Sequence, residues 1–336
     1  MLLCKIRCFC KSTITIIHHP TIEVNKKLKR MIEMTLLCDK LNHNPKQVNY
    51  LNISIEEDTL QYMDPILIET ISNRETGEIR SLAQKATKQI DVFFNKIIDI
   101  HQSNLSDDKK RGKFKDLFSH FSEPHHLRLG FSTEGNWGKG TTASELVKVF
   151  MDKDILSIIL NDDDLTIPQK TPLIKNFGDD KLSDLTSNII MNVIIDFNKS
   201  ILRDFPKMKD FLSQNTVTYY YFSINGEWEE YKFKPFLFDN KKTLLVPKLF
   251  TTYNQTSNLD LIIRIYIEEV IAKIQENSNS SEKISKKQCI EQYIKGNRTD
   301  NTKEIFLNAS LYSHKKFQKE LRLKANERRN KNKEDN

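Results

Sequence analysis

The run from Leu259 to Ile274 leaves few options for how it can fold. Leu259, Ile262, Ile263, Tyr266, Ile267, Val270, Ile271 and Ile274 recur at helical spacing almost without fault. So wide an apolar stripe has to be buried against other elements. It predicts a core helix. A second stripe of the same kind, Leu82, Ala86, Ile90, Phe93, Phe94, Ile97 and Ile98, predicts another helix after Gly77. A chain of 336 residues has room for one large domain or two ordinary ones around such helices.

Further helices are expected over residues 106–121 and from Ser183 to about Arg203. Thr142 and Glu145 form a Thr-x-x-Glu capping box at the head of another. Strand signals are shorter. Leu51, Ile53 and Ile55 alternate, and a turn follows at Asp64-Pro65. From Thr216, aromatic and β-branched runs flank Asn225-Gly226, a strong short-range hairpin signal. "TLLVPKLF" reads as one more short strand. The expected class is helix-rich α+β, a small mixed sheet with a hairpin near 216–238 packed on several helices. The expected organisation is an N-terminal extension (1–33), an α+β core (34–275) and a helical region (284–336) ending in a basic tail. Met31 or Met34 is an alternative start for the chain, which would leave the first thirty residues out of the protein.

Composition narrows the class further. With 38% hydrophobic and 29% charged residues and no apolar run of roughly 20, the chain reads as soluble, cytoplasmic and without a membrane partner. Five cysteines do not make a disulfide framework in a chain this long. Cys4, Cys8 and Cys10, with His18 and His19 nearby, lack the paired spacing of a structural zinc site. Residues 315–333 carry nine Lys/Arg against Glu320 and Glu327, enough to account for the whole formal net charge of +7. Lys315, Lys316, Lys319, Arg322, Lys324, Arg328 and Arg329 are therefore expected to attract nucleic acid through its phosphates. A solvated helical end is the plainer alternative.

Two stretches could carry chemistry. "GFSTEGNWGKGTT" (130–142) holds four of only nine glycines, beside Lys139. Its spacing fails the strict phosphate-loop pattern, and a tight structural turn competes with nucleotide binding. In "GDDKLSDLTSNII", Asp180, Asp184 and Asn188 recur every four residues. The ordinary reading is an acidic first turn and a polar outer stripe. The alternative is an oxygen-ligand set for Mg²⁺. Asp64 is explained by its Asp-Pro turn, and His125 and His126 offer at most one general base or ligand between them. No Ser-His-Asp, Cys-His or H-E-x-x-H arrangement can be picked out.

The phrases "EDTLQYMDPILIE", "LRLGFSTEGNWGKGT", "GDDKLSDLTSNII" and "TLLVPKLF", taken in that order, resemble a family of poorly characterised bacterial proteins associated with mobile elements, plasmids and phage-defence loci. The resemblance covers about residues 50–260. Some longer relatives continue into a PD-(D/E)XK-type nuclease domain, whereas this chain runs into basic sequence, so nuclease activity is not carried over. The resemblance implies a shared module marked by Asp58, Asp64, Gly135, Asn136, Gly138, Gly140, Asp180, Ser183, Asp184 and Asn188. It implies phage resistance of the abortive-infection type, with phage or defence-system proteins as partners. The leading expectation is contact with nucleic acid or a nucleotide in a pocket where Lys139 and Asp184 share a wall. A non-enzymatic protein-interaction module and a metal-dependent nuclease or phosphotransfer enzyme are the alternatives.

Overall fold

In the computed structural model, which describes residues 35–130, 142–161, 164–277 and 284–334, the stripe beginning at Leu82 lies on a 26-residue helix that starts at Gly77. In chain order the first elements are α1 (Leu37–Leu41), β1 (Tyr62–Met63), α2 (Pro65–Arg74), α3 (Gly77–Gln102) and α4 (Asp107–Leu117). There follow α5 (Ala143–Phe150), α6 (Lys153–Leu160), α7 (Ile167–Lys170), α8 (Asp179–Ile189) and α9 (Met191–Asp204). The strands β2 (Val217–Phe222), β3 (Trp228–Phe233), β4 (Phe236–Phe238), β5 (Lys241–Thr243) and β6 (Thr251–Thr252) come next. The chain closes with α10 (Leu259–Asn277), α11 (Lys286–Tyr293), α12 (Arg298–Leu307) and α13 (Leu311–Glu334). Cys4, Cys8, Cys10, His18 and His19 lie outside the described residues.

The class is helix-rich α+β. The strands pair as three two-stranded antiparallel ladders, β1–β6, β2–β3 and β4–β5, rather than as one mixed sheet. The hairpin stands where Asn225-Gly226 placed it, with Val217 opposite Phe233 and Phe222 opposite Trp228. Gly226 has φ +81°, a conformation that favours glycine, and a Cβ there would also push aside the end of the Lys96 side chain, 2.6 Å away at Cε.

Two expected strands are not regular strands. Around Leu51–Ile55 only single bridges form, Leu36 with Ser54 and Tyr50 with Pro247. Leu244–Val246 is extended but bonds irregularly. The Leu244 N–H donates to the His126 carbonyl (2.7 Å), the Leu245 N–H donates to Asn198 Oδ1 (2.8 Å), and the Val246 carbonyl accepts from Leu51 (2.9 Å). Buried Asn198 thus substitutes for a neighbouring strand. The helix expected from Ser183 to Arg203 is two helices. α8 starts four residues earlier, at Asp179, and the chain breaks at Ile190. Ser183 is not its cap, because the Ser183 hydroxyl accepts from the Met63 N–H of β1 instead (2.9 Å).

α3 buries Leu82, Ala86, Ile90, Phe93, Phe94 and Ile97 in the main core, where Phe93 meets Phe118, Phe222 and Trp228. α10 buries Leu261, Ile262, Ile263, Ile265, Tyr266 and Ile267. Leu36–Asn336 form one compact unit. The residues after 284 belong to it, since Phe306, Phe317, Leu321 and Ala325 join the same core. The basic tail is a docked helix.

Candidate functional site

Three of the marked side chains are structural. Asp64 has no exposed surface. Its Oδ1 accepts from the Ile66 and Leu67 N–H groups (2.9 and 3.1 Å), capping α2, whose first residue is Pro65. Its Oδ2 accepts from the Thr256 N–H (2.7 Å) and hydroxyl (2.6 Å), and Arg328 of α13 approaches to 3.4 Å. A simple Asp-Pro turn would leave that carboxylate in water; here it joins three parts of the chain. Ser183 anchors β1 to α8. Asn188 clamps Ser122 from both sides, donating to the Ser122 carbonyl (2.7 Å) and accepting from its N–H (3.3 Å), and also donates to the Asp184 carbonyl (2.7 Å).

That clamp overturns the ordinary reading of α8. Its second face is not a solvated stripe, because the segment around Ser122–Gly130 covers it. Ser183, Asp184, Ser187 and Asn188 are all buried. Asp184 keeps only 7% of its surface. Burial, followed by Asp180, Glu123 and Asp58, pushes its pKa from 3.8 up to about 8. Asp180, one turn earlier, is more open. The protein around its carboxyl still raises its pKa, and Asp58 adds to the rise. Its Oδ1 would lie 3.1 Å from a Cβ at position 130, where Gly130 has φ +110°. The backbone fixes Asp58 nearby, since the Thr59 N–H donates to the Arg128 carbonyl (2.8 Å) and the Gly130 N–H to the Thr59 carbonyl (3.1 Å).

The structure therefore brings together Asp58, Asp180 and Asp184. It adds two residues that the sequence reading missed, Glu123 and Arg128. Arg128 is 93% buried, counting from its 7% exposure, with φ +55°, and its Nε has no hydrogen-bond partner. Burial lowers its pKa and Asp58 raises it. No periodicity marks an arginine in "HHLRLG"; only its approach to Asp58 in space does. Among the described residues, no group of three or more His, Cys, Asp or Glu is set to hold a metal ion by itself. A cation at Asp180 and Asp184 would take its remaining ligands from water or from a bound anion, as Mg²⁺ commonly does. Gly135, Asn136, Gly138, Lys139 and Gly140 lie outside the described residues, so the expected wall shared by Lys139 and Asp184 does too. The capping box after them is present, the Thr142 hydroxyl accepting from the Glu145 N–H (3.3 Å).

The basic residues of α13 divide. Lys316 pairs with Glu268, Arg328 with Asp64, and Arg329 with Glu75 (3.5 Å). Lys324 is half-buried, and burial followed by Arg328 lowers its pKa to about 8. Lys315, Lys319 and Arg322 are exposed.

Residues 40–258 match the family described as "Domain of unknown function (DUF8370)". The chain belongs to that family. The DUF8370 region contains the carboxylate cluster, Arg128 and the hairpin, and it ends just before α10. No curated protein and no solved structure matches the chain.

Proposed function

We propose that this DUF8370 protein binds a phosphate-bearing ligand, a nucleotide or the end of a nucleic acid, through a divalent cation held at Asp180 and Asp184. The observation that supports the reading is Asp184 itself. It is a buried carboxyl facing the charges of three other carboxylates. Burial and these neighbours make it costly to ionise, and a purely structural site avoids such a group with pairing or an apolar residue. A cation relieves the crowding and gives the carboxylate its partner, and one or two carboxylates plus phosphate oxygens is a usual Mg²⁺ arrangement. Arg128 supplies a guanidinium suited to an anion beside it. The same groups would serve nuclease or phosphotransfer chemistry, with Asp184 as a carboxyl near its titration point at neutral pH. A part in phage resistance rests on the ordered phrases alone. A cytoplasmic setting is supported by the free thiols of Cys38 and Cys289.

Isothermal titration with Mg²⁺ and pyrophosphate tests the reading. The wild-type protein should bind pyrophosphate only with Mg²⁺. Asp184→Asn should weaken binding at least about tenfold, as loss of a charge-assisted ligand does, without lowering the melting temperature. Failure of the wild-type protein to bind, or binding by Asp184→Asn as tight as wild type, would overturn it.

A further inference from the structure

One turn beyond Asp184, Asn188 lines a cavity of about 210 Å³ between the Ser122–His126 segment and β2. Its other walls include His120, Glu123, His126, Tyr219 and Tyr220. Pockets that enclose a whole drug-sized ligand run to roughly 300–1,000 Å³. This one suits a single planar ring system whose substituents continue outside.

The wall chemistry fits a heteroaromatic ring. The rings of His120 and Tyr220 stack with centroids 3.9 Å apart and 24° between planes, and Trp228 lies 5.7 Å from His120. Tyr220 is 36% exposed, its hydroxyl donates to Glu230 (3.2 Å), and with one face on His120 a base would stack on its other face. His126 Nδ1 lies 2.9 Å from the Tyr219 hydroxyl. Burial, then Lys242 and His125, lowers the His126 pKa, so at neutral pH one ring nitrogen donates and the other accepts. Bases are recognised by this combination of aromatic stacking and polar edge contacts.

The cavity and the carboxylates are built on common parts. Asn188 lines the cavity, holds Ser122 and bonds the Asp184 carbonyl, and Glu123 of the same segment lines the cavity too. Asp184 and Asn188 are about 6 Å apart along the α8 axis, at 1.5 Å per residue. The sugar of a nucleotide spans a gap of that order.

We propose that the cavity walled by His120, His126, Tyr219 and Tyr220 is the base subsite of a nucleotide whose phosphates reach the Asp180–Asp184 cation site. The assignment rests on the cation-site reading and adds the base to it. The test titrates wild-type protein with Mg²⁺ complexes of ADP, GDP, CDP, UDP and pyrophosphate. At least one nucleotide should bind about tenfold tighter than pyrophosphate, the order of a single base–aromatic stack. Tyr220→Ala and His120→Ala should remove that advantage and leave pyrophosphate affinity unchanged. Adding a 5′-phosphorylated dinucleotide separates the sources, with tighter binding assigning a strand end and weaker binding a free nucleotide; both keep the subsite. Equal affinity for pyrophosphate and every nucleotide overturns the base subsite alone. If neither pyrophosphate nor a nucleotide binds, both readings fall.

Discussion

Arg328 and Asp64 stand 264 residues apart, and the guanidinium Nη1 lies 3.4 Å from the Asp64 Oδ2. The same nitrogen reaches the Thr256 hydroxyl (3.3 Å) and the Asn254 carbonyl. The last helix is thereby fastened to the start of α2 within the DUF8370 region. Asp64→Ala removes a buried charge and leaves the donors of Ile66, Leu67 and Thr256 without it. A loss of about 3–5 kcal/mol is expected, the usual cost of breaking a buried pair. Arg328→Ala leaves Asp64 its four other donors, and the expected loss is about 1.5–3 kcal/mol, that of one hydrogen bond to a charged group. Urea denaturation of both variants and the double variant checks this. The double loss should fall short of the sum, because the two side chains touch.

Because Arg328, Arg329 and Lys316 are engaged inside the unit, deleting residues 315–333 would damage the fold rather than simply remove charge. Lys315, Lys319 and Arg322 are the residues to probe. If α13 contacts nucleic acid, replacing these three with Gln should leave the melting temperature nearly unchanged. Affinity for unrelated sequences should fall alike, and the log–log salt slope should flatten by about 0.9 per lost phosphate contact on duplex DNA. A binding assay across a salt series reads this, and an unchanged slope would remove α13 from any nucleic-acid interface.

Asp184 also predicts a pH dependence of stability. Its folded pKa, about 8, lies above the ordinary 3.8. The folded state therefore holds this proton more tightly than the unfolded state. The stabilisation is complete below about pH 4 and is lost as the pH rises towards about 8. Asp184→Asn carries no such proton. The stability difference between the variant and wild type should grow in the variant's favour from pH 4 to pH 8 and then level off. Denaturation midpoints at pH 5, 7 and 9 measure it; a constant difference would show that Asp184 is ionised throughout.

The elements that rest on apolar periodicity were legible in the sequence. The stripes at Leu82–Ile98 and Leu259–Ile274 became α3 and α10, and Asn225-Gly226 turned the hairpin. Of the strand expected in "TLLVPKLF" only Thr243 is in a regular strand, because a short apolar run carries no information about its partner, which for Leu245 is the Asn198 side chain. For the site, spacing correctly placed Asp180, Asp184 and Asn188 on one side of a helix. It could not tell a solvated stripe from a buried one, because that depends on the Ser122–Gly130 segment lying across it. Glu123 and Arg128 reach the site through tertiary contact alone. Asp64 and Ser183 showed the opposite limit: both read as site residues, and both proved to be anchors between distant segments.

If Asp184 exchanges a proton for a cation-bound phosphate ligand, proton release on binding reads that exchange. Calorimetry of Mg²⁺-pyrophosphate binding in buffers of different ionisation enthalpy counts the protons released. At pH 7 most of the Asp184 population is protonated, and it must ionise to serve as a ligand. Close to one proton should be released at pH 7, falling towards zero at pH 9, where Asp184 is already ionised. Binding with no proton release at pH 7, or with the same release at both pH values, would contradict it.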